Sequence, residues 1–493
     1  MSKRIFKNLF DLATGTFVSR VFGFVRELVT AAFYGTNRAM DLFVIAFTIP
    51  AFFRQVLGED VVERAFMPPF KKLISQRQYK KGWELLSSCL NLMIFLLIIL
   101  TIILYFLAPL IVKLLAPGLA ADLFPIAVKM TYWILPFMFI IGMAAFAGGI
   151  LNFFEMNKIY ALLEFVIQVP FLFKKKIRAD TQASYTPTFN YKEKEMRKVG
   201  RESGFILLKS LLDKSVEIVD RVLASFLITG SIASLWFAHR LILLPVAIIG
   251  LAISRSIIPY LTEKQALVES EKFLSGIRLG IQLNFILVLP TIMLMVVLAE
   301  PIISLVYQRG SFDSESTRLT TIAFWCYSIG LLGLSMNAFL SRLFSIFQKN
   351  KIPFYVAIFS SALNIALNFI LVKTPLKHGG IALASSIAFT VSFLILFYLM
   401  LKEIKYKIRA GSIFFDFMKT GFICLIVGAI SYYFYQNFVV IHLSQYALSL
   451  FMKNLISLIL VSMVGFILYG GLFYLFSPVE MKERLKKVLM KGK

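Results

Sequence analysis

The sequence predicts an all-α polytopic membrane protein of about twelve spans, and three observations carry that prediction. Apolar stretches of about 20 residues, the length that crosses a hydrocarbon core, recur along the chain; Leu90–Leu115, Leu283–Leu298, Ile381–Leu401 and Ile456–Phe476 are the clearest. Hydrophobic residues make up 59% of the 493 and charged residues only 16%, with a mean hydropathy of +0.80. A soluble domain is nearer half apolar and a quarter charged. The basic residues, finally, gather in alternate loops. These features exclude a soluble enzyme. The stretches also lack the alternation of outer-membrane strands, so helices must satisfy the backbone.

Taken in order, the spans are expected near 6–34, 37–57, 88–115, 124–152, 203–228, 231–261, 276–307, 317–347, 353–373, 379–401, 413–436 and 451–476. Ile159–Phe173 is about 15 residues and carries Glu164, Gln168 and Pro170, so it is short for a span and is read as re-entrant or interfacial. Charge decides this. The stretch after it holds Lys174, Lys175, Lys176, Arg178, Lys192, Lys194, Arg197, Lys198 and Arg201. If the short segment does not cross, this stretch is cytoplasmic, on the side of Lys71, Lys72, Arg77, Lys80 and Lys81, and the later clusters Lys402–Arg409 and Lys482–Lys493 follow. Pro117–Leu123 and Asn437–Leu450, expected outside, hold no Lys or Arg; Lys373 and Lys377 are a small exception. Both termini are then cytoplasmic. The polar run Ala179–Asn190 reads as a flexible linker between two lobes. The organisation is therefore residues 1–175, an N-terminal lobe of about four spans plus the short segment; 176–202, a basic cytoplasmic linker; 203–402, a C-terminal lobe of six spans; 410–476, two extra helices; and 477–493, a basic tail.

The formal charge of +25 follows from the basic loops; scattered as it is, it excludes a nucleic-acid surface and allows contact with anionic headgroups. Cys89, Cys326 and Cys424 stand far apart in apolar stretches and read as small buried hydrophobes. The start, MSKRIFKNLF, has no small-residue cleavage site, so no removed signal peptide is expected. His239, His378 and His442 have no metal-ligand spacing, and no zinc-protease, phosphate-loop or nucleophile-elbow motif occurs, so no enzyme constellation is present.

Ionisable residues inside spans are costly and face a cavity or a partner. The first helix carries Arg20, Arg26 and Glu27; the second carries Asp41 and Arg54, with Glu59 just beyond. The helix from Ser203 carries Lys209, Asp213, Lys214, Glu217, Asp220 and Arg221, with Asp213, Glu217 and Asp220 on one face. His239 and Arg240 follow in mid-span. Internal pairs such as Arg26 with Asp41 or Lys209 with Asp213 account for some of these, and Arg54, Arg255 and Lys419 can snorkel to headgroups. Arginine still exceeds acid on the first two helices, and converging guanidinium groups suit a phosphate-bearing ligand. Pro136, Pro245 and Pro290, with Gly142, Gly148 and Gly149, are expected to kink helices and let them approach closely, as in transporters that rock one lobe against another.

SRVFGFVRE from Ser19 to Glu27, MDLFVIAFTIP from Met40 to Pro50, Phe53-Arg54-Gln55, Gly58-Glu59 and AFMP from Ala65 to Pro68 resemble the MurJ/MviN family, the lipid II flippases of bacterial cell-wall synthesis. ASFL from Ala224, AHR ending at Arg240 and YQRG from Tyr307 to Gly310 extend the resemblance into the second half. It covers nearly the whole chain except a gap near 160–175. The resemblance implies two six-helix lobes in a V-shaped exporter fold, plus two C-terminal helices whose groove takes the undecaprenyl tail. It implies substrate contacts at Arg20, Arg26, Asp41, Arg54, Glu59 and Arg240, and a sodium site at Asp220, Asn364, Asn368 and Thr390, oxygen donors of the kind a hard cation takes. Interhelical amide bonds are the competing reading of those last residues. Three departures stand out. Gln55 follows Arg54 where the family has a second arginine, His239 stands where an acid is frequent, and the first lobe is short by roughly two crossings, an even number that preserves orientation.

The function implied is translocation of lipid II, an undecaprenyl-diphosphate-linked peptidoglycan precursor, across the inner membrane by alternating access, with cell-wall synthesis proteins as prospective partners. The alternatives are export of another polyprenyl-linked saccharide or of drugs, and a non-transporting degenerate member or scaffold; drug exporters favour acidic chambers, and this first lobe is arginine-rich.

Overall fold

The computed structural model describes residues 23–53, 55–56, 61–153, 194–246, 249, 253, 257, 261, 271–349, 351–404 and 410–476. The expected short segment 159–173, the polar linker 179–190 and the basic tail 477–493 lie outside them. The described residues are helical with short turns, as a chain must be when water cannot satisfy its backbone. Two compact units form: Met1–Thr30 with Asn37–Thr229, and Ala31–Thr36 with Gly230–Lys493.

α1 (23–34) starts in the first unit and its last residues, 31–34, belong to the second; the first unit continues with α2 (Arg38–Phe53), a π-helical turn (Val62–Phe66), α3 (Met67–Ser75), α4 (Tyr79–Leu115), α5 (Phe124–Phe153) and α6 (Lys194–Ala224). α2 and α4 pack on α5, α6 packs on α4, and the 62–66 turn rests on α6. Leu42, Val112, Ala127 and Val128 form a buried knot where the first two of these contacts meet. Only 17% of the most apolar window of α4 is buried, so this helix turns its face to lipid. Two boundaries differ from expectation. α4 begins at Tyr79 rather than 88, with Gly82 set against Ile74 of α3. Residues 194–202, expected as linker, are the first turns of α6; their Lys, Glu, Met and Arg side chains are good helix formers. α6 therefore belongs to the first compact unit, whose limit falls at Thr229.

In the second unit, α7 (Ser231–Pro245), α8 (Glu271–Val297), α9 (Ala299–Tyr307), α10 (Ser314–Ile329), α11 (Leu331–Ile346), α12 (Lys351–Leu371) and α13 (His378–Glu403) form the lobe. α13 is its centre, touching α7, α10, α11 and α12, and 56% of its apolar window is buried. Two expected spans are broken. The 276–307 segment divides at Leu298 because Pro301, in the first turn of α9, lacks an N–H and its ring crowds the carbonyl of Val297. The 317–347 segment bends by 45° between α10 and α11. Gly330 sits at that bend against Ser386 of α13, where a Cβ would meet Ser386 Cα at 2.5 Å. The Ser386 hydroxyl donates to the Cys326 carbonyl at 2.6 Å, satisfying a group near the end of α10.

α14 (Ala410–Phe434) continues through a π-helical turn (Tyr435–Val440) and α15 (Ile441–Ser444), and α16 (Leu450–Phe476) returns. Met293 and Leu294 of α8 pack with Ile423, Val427, Val461 and Phe473. Polar contacts fasten the pair along its length: Gln282 Nε2 donates to Asp416 at 2.7 Å, Tyr469 to the Ile286 carbonyl at 2.9 Å, and Asn454 Nδ2 to Ser304 at 2.7 Å. Among the described residues, seven helices are long and apolar enough to cross a membrane, eight with the bent α10–α11 pair; of the other expected spans, 6–34, 37–57 and 231–261 reach into segments outside the description, while 203–228, mostly within α6, is too charged to qualify by apolarity. Cys89, Cys326 and Cys424 are all buried free thiols, as expected.

Candidate functional site

Arg20, Arg54 and Glu59 lie outside the described residues, so the arginine set is seen through Arg26, Asp41 and Arg240. Arg26, on α1, points outward with its side chain 68% exposed and pairs with Glu27 at 3.4 Å, not with Asp41. Glu27 is buried. Asp41 is buried in the first turn of α2, where the helix starts on Asn37: its side chain accepts the Met40 amide and its carbonyl the Asp41 amide. An acid there faces the positive end of the helix dipole.

Arg240, on α7, is half-buried, with its guanidinium 4.4 Å from the ring centre of Trp236 one turn earlier. The ring steadies the guanidinium by a cation–π contact. His239 is exposed, with its ring 5.5 Å from that of Tyr327. Trp236 was not foreseen, although its i,i+4 spacing to Arg240 is a readable signal.

On α6, Glu217 takes Lys214 Nζ at 2.6 Å on one oxygen and Arg221 at 2.5 Å on the other. Arg221 is buried, Asp220 half-buried, and the side chains of Lys209 and Asp213 are outside the description. On this face one carboxylate, Glu217, holds two cations, Lys214 and Arg221.

The four residues of the expected sodium site divide between units, Asp220 on α6 in the first and the others on α12 and α13 in the second. Asn368 Nδ2 donates to Asn364 Oδ1 at 2.8 Å, Asn364 Nδ2 to the Ser385 hydroxyl at 3.0 Å, and the Thr390 hydroxyl to the Ser386 carbonyl at 2.8 Å. Of these bonds only Asn364–Ser385 joins α12 to α13, while Asn368–Asn364 runs along α12 and Thr390–Ser386 along α13; Asn364 Oδ1, an oxygen a cation would need, is engaged. Among the described residues no group of three His, Cys, Asp or Glu side chains could hold a metal.

Several motif residues turn out to be structural. Ser225 Oγ accepts the Gly118 amide at 3.1 Å and donates to the Val222 carbonyl at 2.7 Å. Arg309 donates to the carbonyls of Leu305 and Val306, capping α9. Gly310, at φ +59°, lies so close to residues 31–36 that a Cβ would strike the Ala32 carbonyl oxygen. Beside it the Ser311 amide donates to that carbonyl at 2.7 Å, and Thr36 Oγ1 donates to Ser316 Oγ at 2.9 Å.

Comparison with known proteins gives a consistent picture. A family model described as "Lipid II flippase MurJ" matches residues 30–157 and 158–468, two segments that abut beside the stretch where the first lobe was expected to be short of chain. A probable lipid II flippase MurJ of Buchnera aphidicola subsp. Baizongia pistaciae is 26% identical over 425 residues, covering 80% of this chain and 83% of that protein. In fold, the chain is similar to a lipid II flippase MurJ in an inward closed conformation, with a TM-score of 0.71 at 22% identity over 94% of this chain and 98% of that one. It is similar, more distantly, to an inward-facing multidrug transporter of the MATE family in the MOP superfamily, with a TM-score of 0.58 at 15% identity over 76% and 94%.

Proposed function

The chain belongs to the lipid II flippase MurJ family, and from that premise we propose that it moves lipid II, the undecaprenyl-diphosphate-linked peptidoglycan precursor, across the bacterial cytoplasmic (inner) membrane by alternating access. The observation that carries this reading is the family match running through both halves of the chain, from residue 30 to residue 468. The family is one of transporters, not of enzymes, and no bond is made or broken in the cycle.

The chemistry of the cargo fits the residues. A diphosphate and peptide carboxylates are planar or tetrahedral oxyanions, and Arg20, Arg26, Arg54 and Arg240 supply guanidinium forks that remain charged at any physiological pH. Arg240, steadied by Trp236, is the best-placed of them. Asp41 and Glu59, acids close to the first three in sequence, limit the excess of positive charge. The tail stays in lipid along α14 and α16, whose outer faces expose Phe422, Leu425, Phe466 and Ile467. Basic loops facing the cytoplasm put both termini inside. The membrane potential biases the cycle, since each charge carried across 100 mV changes energy by about 2.3 kcal/mol.

The abutting segments at 157 and 158 favour one second reading, a shortened member that serves as a scaffold without transporting. Complementation of a flippase-depleted strain separates the two. Growth with the wild-type chain, lost with Arg240→Ala and Arg20→Ala at equal membrane abundance, supports transport. Full growth with both variants removes the oxyanion site.

A further inference from the structure

In the second unit, α8, α14 and α16 close around a small cleft lined by Gln282, Phe285, Asp416, Lys419 and Phe473. Its cavity is about 10 Å³, room for one water-sized atom group. Lys419 was expected to reach out to headgroups. Instead its Nζ is fully buried and lacks a hydrogen-bond acceptor among the described residues. It lies 5.3 Å from the ring centre of Phe473.

The nearby acid does not neutralise it. Asp416 Oδ2 already accepts from Gln282 Nε2 at 2.7 Å and has Arg278 Nη2 at 3.9 Å. No Lys419–Asp416 ion pair forms within bonding range. Arg278 Nε is also buried without an acceptor among the described residues, although the side chain as a whole is 43% exposed. The cleft therefore holds one buried cation and one carboxylate, with a second cation, Arg278, 3.9 Å from that carboxylate, and both cations keep buried donors without an acceptor among the described residues. An ammonium withdrawn from water needs oxygen acceptors, and one aromatic face replaces only part of what it loses. A single water offers too little: Lys419 alone has three N–H groups to satisfy.

We propose that this cleft binds the phosphate of an anionic membrane lipid, one phosphate oxygen entering toward Lys419 Nζ and the body of the group meeting Arg278 at the mouth. Phe415 and Phe422, one turn to either side of Lys419 on α14, are exposed and offer apolar surface to the acyl portion of a lipid and nothing to free phosphate. The site lies where α8 carries the C-terminal pair, so a lipid seated there acts as a third fastening beside the Gln282–Asp416 and Asn454–Ser304 bonds. The inference does not depend on what the protein transports.

The test uses the purified full-length chain, delipidated in maltoside micelles and titrated with dioleoyl phosphatidylglycerol, dioleoyl phosphatidylcholine or inorganic phosphate, read by thermal shift and by native mass spectrometry. Phosphatidylglycerol is expected to remain bound and raise the Tm. Its half-saturating concentration should rise at least fivefold in Lys419→Met and in Arg278→Gln, and stay at the wild-type value in Lys419→Arg, which also shows that the fold survives substitution there. Phosphatidylcholine and inorganic phosphate should leave the Tm unchanged. Equal phosphatidylglycerol binding by wild type and Lys419→Met overturns the proposal, as does a Tm gain in Lys419→Met with lipid binding intact, which marks a merely hydrated lysine. A response to inorganic phosphate matching that to phosphatidylglycerol overturns the lipid as its source.

Discussion

The amide of Ser311 donates to the carbonyl of Ala32 at 2.7 Å, tying the turn after α9 to the end of α1 across almost three hundred residues of chain. The contact depends on backbone reaching backbone. Gly310, at φ +59°, lets it happen because it has no Cβ to occupy the space.

Gly310→Ala should therefore cost more than the strain of a left-handed alanine, because the new methyl also displaces the Ala32 carbonyl. A loss of roughly 2 kcal/mol is expected. It is checked by the Tm of the detergent-solubilised protein, with Gly411→Ala, whose Cβ would meet open space, as the silent comparison. Equal Tm values for the two variants would show that the turn is not held as described.

Glu217→Gln removes the acid shared by Lys214 and Arg221 and leaves the Arg221 side chain, 8% exposed, beside a neutral amide. Glu217 itself is 40% exposed, so solvent softens the effect to about 1–2 kcal/mol. Lys214→Met, which keeps the buried Arg221 contact, should cost less. A reversed order in denaturation midpoints would reassign these contacts.

Asp313 caps α10, its carboxylate accepting the Ser316 amide at 2.8 Å, and that bond holds its pKa below the ordinary carboxylate value. The sign follows from linkage: the contribution is complete above the unfolded value near 4 and is lost as pH falls through the lower folded value. Asp313→Ala should cost about 1 kcal/mol at neutral pH. Asp313→Asn should retain most of the cap and flatten the acid limb of stability against pH. An unchanged acid limb would place the titration elsewhere.

Asn368→Ala deletes the donor to Asn364 Oδ1 one turn earlier on α12. A buried acceptor stripped of its partner costs about 1–3 kcal/mol. The loss should be the same in sodium chloride and in N-methylglucamine chloride. A wild-type Tm that rises with sodium, and a variant that does not respond, would instead show a cation recruiting these oxygens.

How far the chain could be read in advance depended on how local the cause was. α4 and α16 were legible because lipid-facing helices are apolar on nearly every side. Their ends were less so: residues 194–202 are charged and look like linker, yet they are good helix formers and continue α6. The breaks at Leu298 and Gly330 have different origins. Pro301 is a local signal that hydrophobicity masked, whereas the bend at Gly330 depends on Ser386, more than fifty residues away. In the candidate site, Arg26 and Arg240 could be named from their types, but their companions could not all be foreseen. Glu27 is adjacent and Trp236 one turn away, both within reach of sequence reasoning. The burial of Lys419 arises from three helices meeting and has no signature in any one of them.

The bonds from Gln282 to Asp416, from Tyr469 to Ile286 and from Asn454 to Ser304 join the C-terminal pair to α8 and α9 at both ends and in between. A pair riveted in this way has no hinge of its own. It travels as cargo on α8, so a prenyl chain lying against it would be dragged along by the lobe's own stroke, without a separate moving part to pull it.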